Sequence, residues 1–181
     1  TENMDSAAVP LRGKIMELVT SLKQPRRPSR NELLSGAERV LEWKREHRVE
    51  SLWTRPPVMV TATLDDAWGH GLEVIHRYAE VAGLAIFPLG LLKTPAEVIQ
   101  ACLAHSPDIL GLTVLQFDTE EALIEIRNAI PGHTRMVVGG PIFAADPDLA
   151  RRAGIDFVAR NAAAFIEYLL DFQPSRTDRA N

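Results

Sequence analysis

The sequence predicts a doubly wound α/β sandwich on a five-stranded parallel sheet, preceded by an N-terminal helical appendage. Three observations predict it. Between residues 58 and 172, apolar runs of strand length alternate five times with segments of helical period. The runs are continuously apolar rather than alternating, which is the pattern of strands covered on both faces. Most of the helical segments open at a residue able to cap them, as a chain of short βα crossovers requires.

The elements follow in order. Residues 11–24, LRGKIMELVTSLKQ, place Leu11, Ile15, Leu18, Val19 and Leu22 at helical spacing, and PRRPSR then stops the helix because two prolines lie close together. A second helix starts at Ser29, where Ser29 and Glu32 form a capping-box pattern. It runs to about Arg48 with Leu33, Leu34, Ala37, Val40, Leu41 and Trp43 as its apolar face. VMVTAT is the first strand, and HGLEVIHRYAEVAG the first crossover helix, ending at Gly83. LAIFPL and TPAEVIQACLAH form the second pair, with Thr94 as cap, Pro95 at the first helical position and Glu97 completing the box. DILGLTV precedes DTEEALIEIRNAI, capped by Asp118. RMVVGG precedes DPDLARRAG, capped by Asp146 with Pro147 behind it, and DFVA precedes NAAAFIEYLLDF. The predicted organisation is a helical appendage over 1–55, an α/β domain over 56–173 and a disordered tail over 174–181.

Composition narrows the function. At 181 residues, 46% hydrophobic and 24% charged, the chain can bury one sizeable core. A formal net charge of −4 gives no general attraction to nucleic acid or anionic membrane, so neither is an expected partner. No run approaches the roughly 18 apolar residues of a membrane helix. The single cysteine, Cys102, excludes an internal disulfide, a Cys-rich zinc site and a Cys-ligated iron–sulfur cluster within the chain, and fits a reducing cytoplasm. Cys102 itself reads as a small buried apolar residue rather than a nucleophile. His47 and His105 near helix ends and His133 in a turn read as ordinary residues, and His76 faces partly polar neighbours in its helix.

In open α/β sheets a ligand sits at the carboxyl ends of the strands, where the strand order reverses. The loops after strands one, three and four hold the unusual residues: LDDAWGHG, LTVLQFD and GGPIFAAD. The adjacent glycines Gly139 and Gly140 would weaken an apolar strand unless the backbone needs a close approach or a positive φ. For Asp65 and Asp66, capping of the following helix is the simpler role.

These loops resemble the three motifs of the cobalamin-binding domain family: Asp-x-His-x-x-Gly after strand one, Ser-x-Leu after strand three and Gly-Gly after strand four. The matching residues are Asp66, Trp68 and Gly71, then Thr113 and Leu115, then Gly139 and Gly140. The resemblance covers residues 57 to 172 and implies the flavodoxin-like, Rossmann-like fold of that family. It implies a corrinoid-binding site made of Asp66, Trp68, His70, Gly71, Thr113, Leu115, Gln116, Gly139, Gly140 and Pro141, with Thr113 offering a hydroxyl toward a buried nucleotide tail. The departure is Trp68, which stands where the family's histidine binds cobalt from below, and an indole N–H cannot coordinate a metal. Three readings stay open: His70, two residues on, is the metal ligand; the corrinoid has no protein ligand and Trp68 covers its lower face; or the slot takes heme, whose iron also suits His70.

The function expected from the resemblance is a tetrapyrrole-binding module, for cobalamin first. It would sense or carry its cofactor, would not catalyse alone, and would work with a protein partner such as a methyltransferase or a regulator. A heme-binding module, or a cofactor-free interaction domain, is the alternative.

Overall fold

A computed structural model of the chain describes residues 8–65, 70–114 and 119–175, with residue 70 described by its backbone alone. Its elements run α1 (Val9–Leu22), α2 (Arg30–His47), β1 (Val58–Thr63), α3 (His70–Ala82), β2 (Ala85–Gly90), α4 (Pro95–His105), β3 (Ile109–Thr113), α5 (Glu120–Ala129), β4 (Arg135–Gly139), α6 (Ile142–Ala145), α7 (Leu149–Ala153), β5 (Phe157–Val158) and α8 (Ala162–Leu170). The five strands form one sheet in the order β2-β1-β3-β4-β5, the flavodoxin-like order expected from the sequence. The order reverses between β1 and β3, where a ligand crevice belongs. No described helix is long and apolar enough to cross a membrane.

The chain divides into two compact units, each assembled from separate stretches. One comprises Thr1–Pro56, His70–Ile86 and Arg160–Gln173, and the other Pro57–Gly69, Phe87–Ala159 and Pro174–Asn181.

In the sheet unit, β1, β3, β4 and β5 pair in parallel. Two aspartates fix the amino-terminal edge. Val58 N–H donates to the Asp108 carboxylate at 2.8 Å, and Met136 N–H donates to the Asp156 carboxylate at 2.8 Å. Side chains then alternate between faces along each strand, and aligned residues share a face. Val60, Ala62, Leu110, Leu112, Met136 and Val138 lie on one face and join Val98 and Cys102 of α4, Leu123 and Ile126 of α5, Phe143 of α6 and Leu149 of α7 in one buried cluster. Burial there pushes the Cys102 thiol up to about 12, so it is inert as a nucleophile, as expected. The opposite face of the same strands carries Thr61, Thr63, Gly111, Thr113, Val137 and Gly139.

In the helical unit, α1 packs on α2 and α8, and α3 packs on the same two, so the four helices close a ring. Leu11, Ile15, Leu18, Ala37, Tyr78, Phe165 and Leu169 are buried in this unit. The segment before β1 is pinned to it. Trp53 is buried and donates its indole N–H to the Phe172 carbonyl at 3.0 Å, and Leu52 N–H donates to the Ala82 carbonyl at 2.9 Å. Gly83 ends α3 at φ +92, with Ser51 so close that any Cβ would collide with it.

Ser29 and Thr94 cap the helices they precede, and departures from the expected local pattern have physical reasons. Ser29 accepts from Glu32 N–H, but the Glu32 carboxylate turns to Arg26 at 2.7 Å, so the capping box is half made. Thr94 and Glu97 complete theirs. Asp118 lies outside the described residues, and Thr119 stands at the N-cap position of α5. Asp146 closes the extra turn α6, and its carboxylate also accepts the N–H groups of Asp148 and Leu149 at the start of α7, so it caps the fourth crossover helix from just before the N-cap position that Asp148 occupies.

On α2 the inward face is narrower than the apolar pattern implied. Leu33, Leu34, Leu41 and Trp43 are half-buried, and Lys44 is buried. Its stem follows the helix inward while Nζ donates to the Glu80 carbonyl at 2.6 Å, near the end of α3. Desolvation lowers this amine to about 8, against the attraction of Glu80 and Glu50. A lysine in the unfolded chain titrates near 10.4. Between about 8 and about 10.4 the unfolded chain therefore binds more protons, and Lys44 makes the protein more stable as pH rises through that window. Urea unfolding of wild type and Lys44→Met at pH 7.5 and 10 should show wild type gaining on the variant by on the order of 2 kcal/mol. A pH-independent difference would refute the buried, deprotonation-prone amine.

Candidate functional site

Parallel register brings the carboxyl ends of three strands into one row. Thr63 of β1 aligns with Thr113 of β3, and Thr113 aligns with Gly139 of β4. These residues share the face opposite the packed cluster, so the row presents two hydroxyl-bearing residues and a bare backbone side by side.

Thr63 was not among the residues singled out in the sequence, and it is the most informative of them. Its side chain is buried, and Oγ1 is the one buried side-chain nitrogen or oxygen among the described residues with no hydrogen-bond partner. Buried hydroxyls are ordinarily paired, and an unpaired one costs about 1–3 kcal/mol. The signal was present in VMVTAT, whose threonines recur at every second position and so fall on one face, but a continuously apolar reading of the run hides it.

The two glycines after β4 differ in what demands them. Gly140 has φ +131, and a Cβ there would lie 1.8 Å from the Val114 carbonyl oxygen. Its bareness is imposed by the chain's own backbone, which crosses over the end of β3, with Val114 N–H donating to the Gly139 carbonyl at 3.0 Å. At Gly139 the nearest atom to a Cβ is the Ala159 carbonyl oxygen, at an ordinary 3.5 Å. Nothing among the described residues requires Gly139 to lack a side chain. Pro141 follows, exposed, at the N-cap of α6.

Arg152 ties the segment after β4 to the start of α5. Its guanidinium forks onto Glu120, the first residue of α5, with Nε donating to Oε1 at 2.8 Å and Nη2 to Oε2 at 3.2 Å. Nη2 also donates to Asp146 Oδ2 at 2.6 Å. Hydrogen bonding to Arg152 holds both carboxyls below the usual range, helped at Asp146 by the N–H groups of Asp148 and Leu149. The segment after β4 and the start of α5 are thus tied to the same side chain.

Of the residues expected in the site, Thr113 and Gly139 come together in the row, and Gly140 and Pro141 follow directly. Gly71 is exposed in the first turn of α3, in the helical unit. Asp66, Trp68, Leu115, Gln116 and the His70 side chain lie outside the described residues; the His70 backbone opens α3. Among the described residues no cluster of His, Cys, Asp and Glu could hold a metal. Asp65 is buried beside Thr63, and its carbonyl accepts Leu92 N–H at 3.2 Å.

Two substitutions separate these roles. Gly140→Ala should cost about 3 kcal/mol or more in denaturant unfolding, since strain and a backbone collision add. Gly139→Ala should stay within about 1 kcal/mol of wild type, and equal losses at both positions would contradict the geometry. Thr63→Val, which removes the unpaired hydroxyl at constant shape, should raise the melting free energy of the ligand-free protein by about 1 kcal/mol.

Comparison with known proteins places this architecture. The B12 binding domain family profile matches residues 57–168, more than half of the chain. No curated protein sequence matches significantly. Among solved structures the chain is similar to a cobalamin-binding protein of Desulfitobacterium hafniense, at TM-score 0.75 and 17% identity over 91% of this chain and 82% of that one. It is similar to the monomethylamine corrinoid protein of Methanosarcina barkeri, at TM-score 0.57 and 15% identity over 77% and 66% of the two chains. It is also similar to the methanol:cobalamin methyltransferase complex of Methanosarcina barkeri, at TM-score 0.53 and 16% identity over 90% and 78%. At these identities the structural likeness establishes the fold, and the family match adds lineage: the chain belongs to the B12 binding domain family.

Proposed function

We propose that this chain is a corrinoid-binding module that carries its cofactor to a partner protein and does not catalyse alone. The observation that carries the reading is the row of Thr63, Thr113 and Gly139, with a buried hydroxyl left unpaired and a glycine that no described residue crowds. Both features are what a polar, close-fitting group seated at the strand ends would explain, and the family to which the chain belongs supplies the class of group. The residues present fit it. Thr63 and Thr113 would meet polar atoms of the corrinoid's nucleotide tail, the bare Gly139 would let it approach the backbone, and Arg152 would hold the flanking loops in place through Glu120 and Asp146. Bound cobalt would supply a centre that accepts and releases an alkyl group.

The carrier form draws support from the names of the similar structures, two of which are a corrinoid protein and a methyltransferase complex. The likeness to the first and third structures also spans about nine-tenths of this chain, and so takes in helices that precede the family match. A methyltransferase is therefore the partner we propose. The sequence leaves His70 as the residue that would bind the cobalt, with Trp68 as the one that would otherwise cover the ring.

The experiment is absorbance titration and co-elution of the full chain with hydroxocobalamin, with hemin in parallel. Stoichiometric hydroxocobalamin binding supports the reading; binding of hemin alone, or of neither, overturns it. Thr113→Val and Gly139→Ala should each weaken hydroxocobalamin binding about tenfold while leaving the melting temperature within a few degrees. His70→Ala should change the spectrum of the bound corrinoid, and an unchanged spectrum would remove His70 as ligand.

A further inference from the structure

The segment after β2 carries two features that the three-loop description does not use. Leu91 and Leu92 are 42% and 65% exposed, among the few large apolar side chains left open to water. Leu92 also holds φ +53, a left-handed conformation that costs a leucine roughly 1–2 kcal/mol and that glycine or asparagine would adopt at lower cost. Gly90, two residues earlier, takes its own positive φ of +102. An exposed leucine in a left-handed turn is doubly unfavourable, so the isolated chain gives no reason for it.

Hydrogen bonds tell where this turn sits. Leu92 N–H donates to the Asp65 carbonyl at 3.2 Å, and Lys93 N–H donates to the Thr63 carbonyl at 3.0 Å. The turn is therefore fastened to the very residue whose side-chain hydroxyl is buried and unpaired. Apolar rim and polar orphan belong to one continuous place at the carboxyl end of β1.

We infer that Leu91 and Leu92 form an apolar rim that closes over the edge of the corrinoid macrocycle, making the loop after β2 a fourth wall of the binding site. This rests on the corrinoid reading above. A protein occupant is the weaker choice, because two leucine side chains fall far short of the roughly 800 Å² per partner that a stable interface buries. A macrocycle edge needs no more than this. The left-handed Leu92 is then explained as strain kept at a binding position, where it aims an apolar side chain that asparagine or glycine would not supply.

The test uses the opposite signs of stability and binding. Leu92→Asn relieves the backbone and removes exposed apolar surface, so its melting temperature should equal or exceed that of wild type. Its affinity for hydroxocobalamin, by absorbance titration of the full chain, should nevertheless fall about fivefold, and Leu91→Ser should do the same. Should wild type bind hydroxocobalamin and both variants bind it equally well, the rim is overturned while the corrinoid reading stands. Should sedimentation show wild type as a dimer that Leu92→Asn dissociates with affinity unchanged, the leucines cover a second copy and the inference fails. Should wild type bind no hydroxocobalamin, the reading beneath it fails first.

Discussion

Parallel hydrogen bonding between β1, β3 and β4 is the constraint on which the candidate site depends, because it alone puts Thr63, Thr113 and Gly139 in one row. A slip of one residue between any two of these strands would send the aligned side chain to the opposite face. The register is held from both ends. Asp108 and Asp156 accept backbone N–H groups at the amino-terminal edge, and at the carboxyl edge Gly140 lies so close over Val114 that no other residue fits. The packed cluster on one face then leaves the other face free to carry threonines and glycines.

Around that row the loops differ in how they are secured. The segment after β2 hangs on the carbonyls of Thr63 and Asp65, and the segment after β4 hangs on Arg152. Exposed ion pairs contribute little in general, but a guanidinium forked onto one carboxylate and bonded to a second fixes geometry as well as charge. Such bracing suits a site that must meet a large, rigid ligand without reorganising. In the helical unit, similar work falls to buried polar contacts: the Trp53 indole on the Phe172 carbonyl, the Tyr78 hydroxyl on the Leu33 carbonyl and the Lys44 amine on Glu80.

Much of the fold was legible because it is written in short-range chemistry. Five apolar runs, the Thr94–Glu97 box, the Gly83 stop and the proline break after α1 each act within a few residues, and each stands where the sequence puts it. Legibility failed where two local solutions compete. After β4 an extra turn, α6, which no periodicity announces in four residues, puts Asp148 at the N-cap position of α7 while the Asp146 carboxylate still takes up the first N–H groups. The site was legible through the three loop motifs, of which Thr113, Gly139 and Gly140 take their places at the strand ends. Thr63 was marked only by the alternate threonines of VMVTAT, which a continuously apolar run conceals, and the Leu91–Leu92 pair by nothing in its immediate neighbours.

The sequence by itself determined the five strands, the main helices between them and their order, the parallel sheet, and the loops where a ligand would sit, because periodicity, capping and glycine pairs are properties of adjacent residues. Only the tertiary structure decided that the Thr63 hydroxyl is buried without a partner, that Gly140 answers to Val114 while no described residue crowds Gly139, that Lys44 is buried, and that Leu92 is held left-handed in the open. Each of these depends on what a residue meets across tens of positions of sequence. Hydrogen-bond satisfaction and burial are set by such distant partners, so no local pattern can carry them.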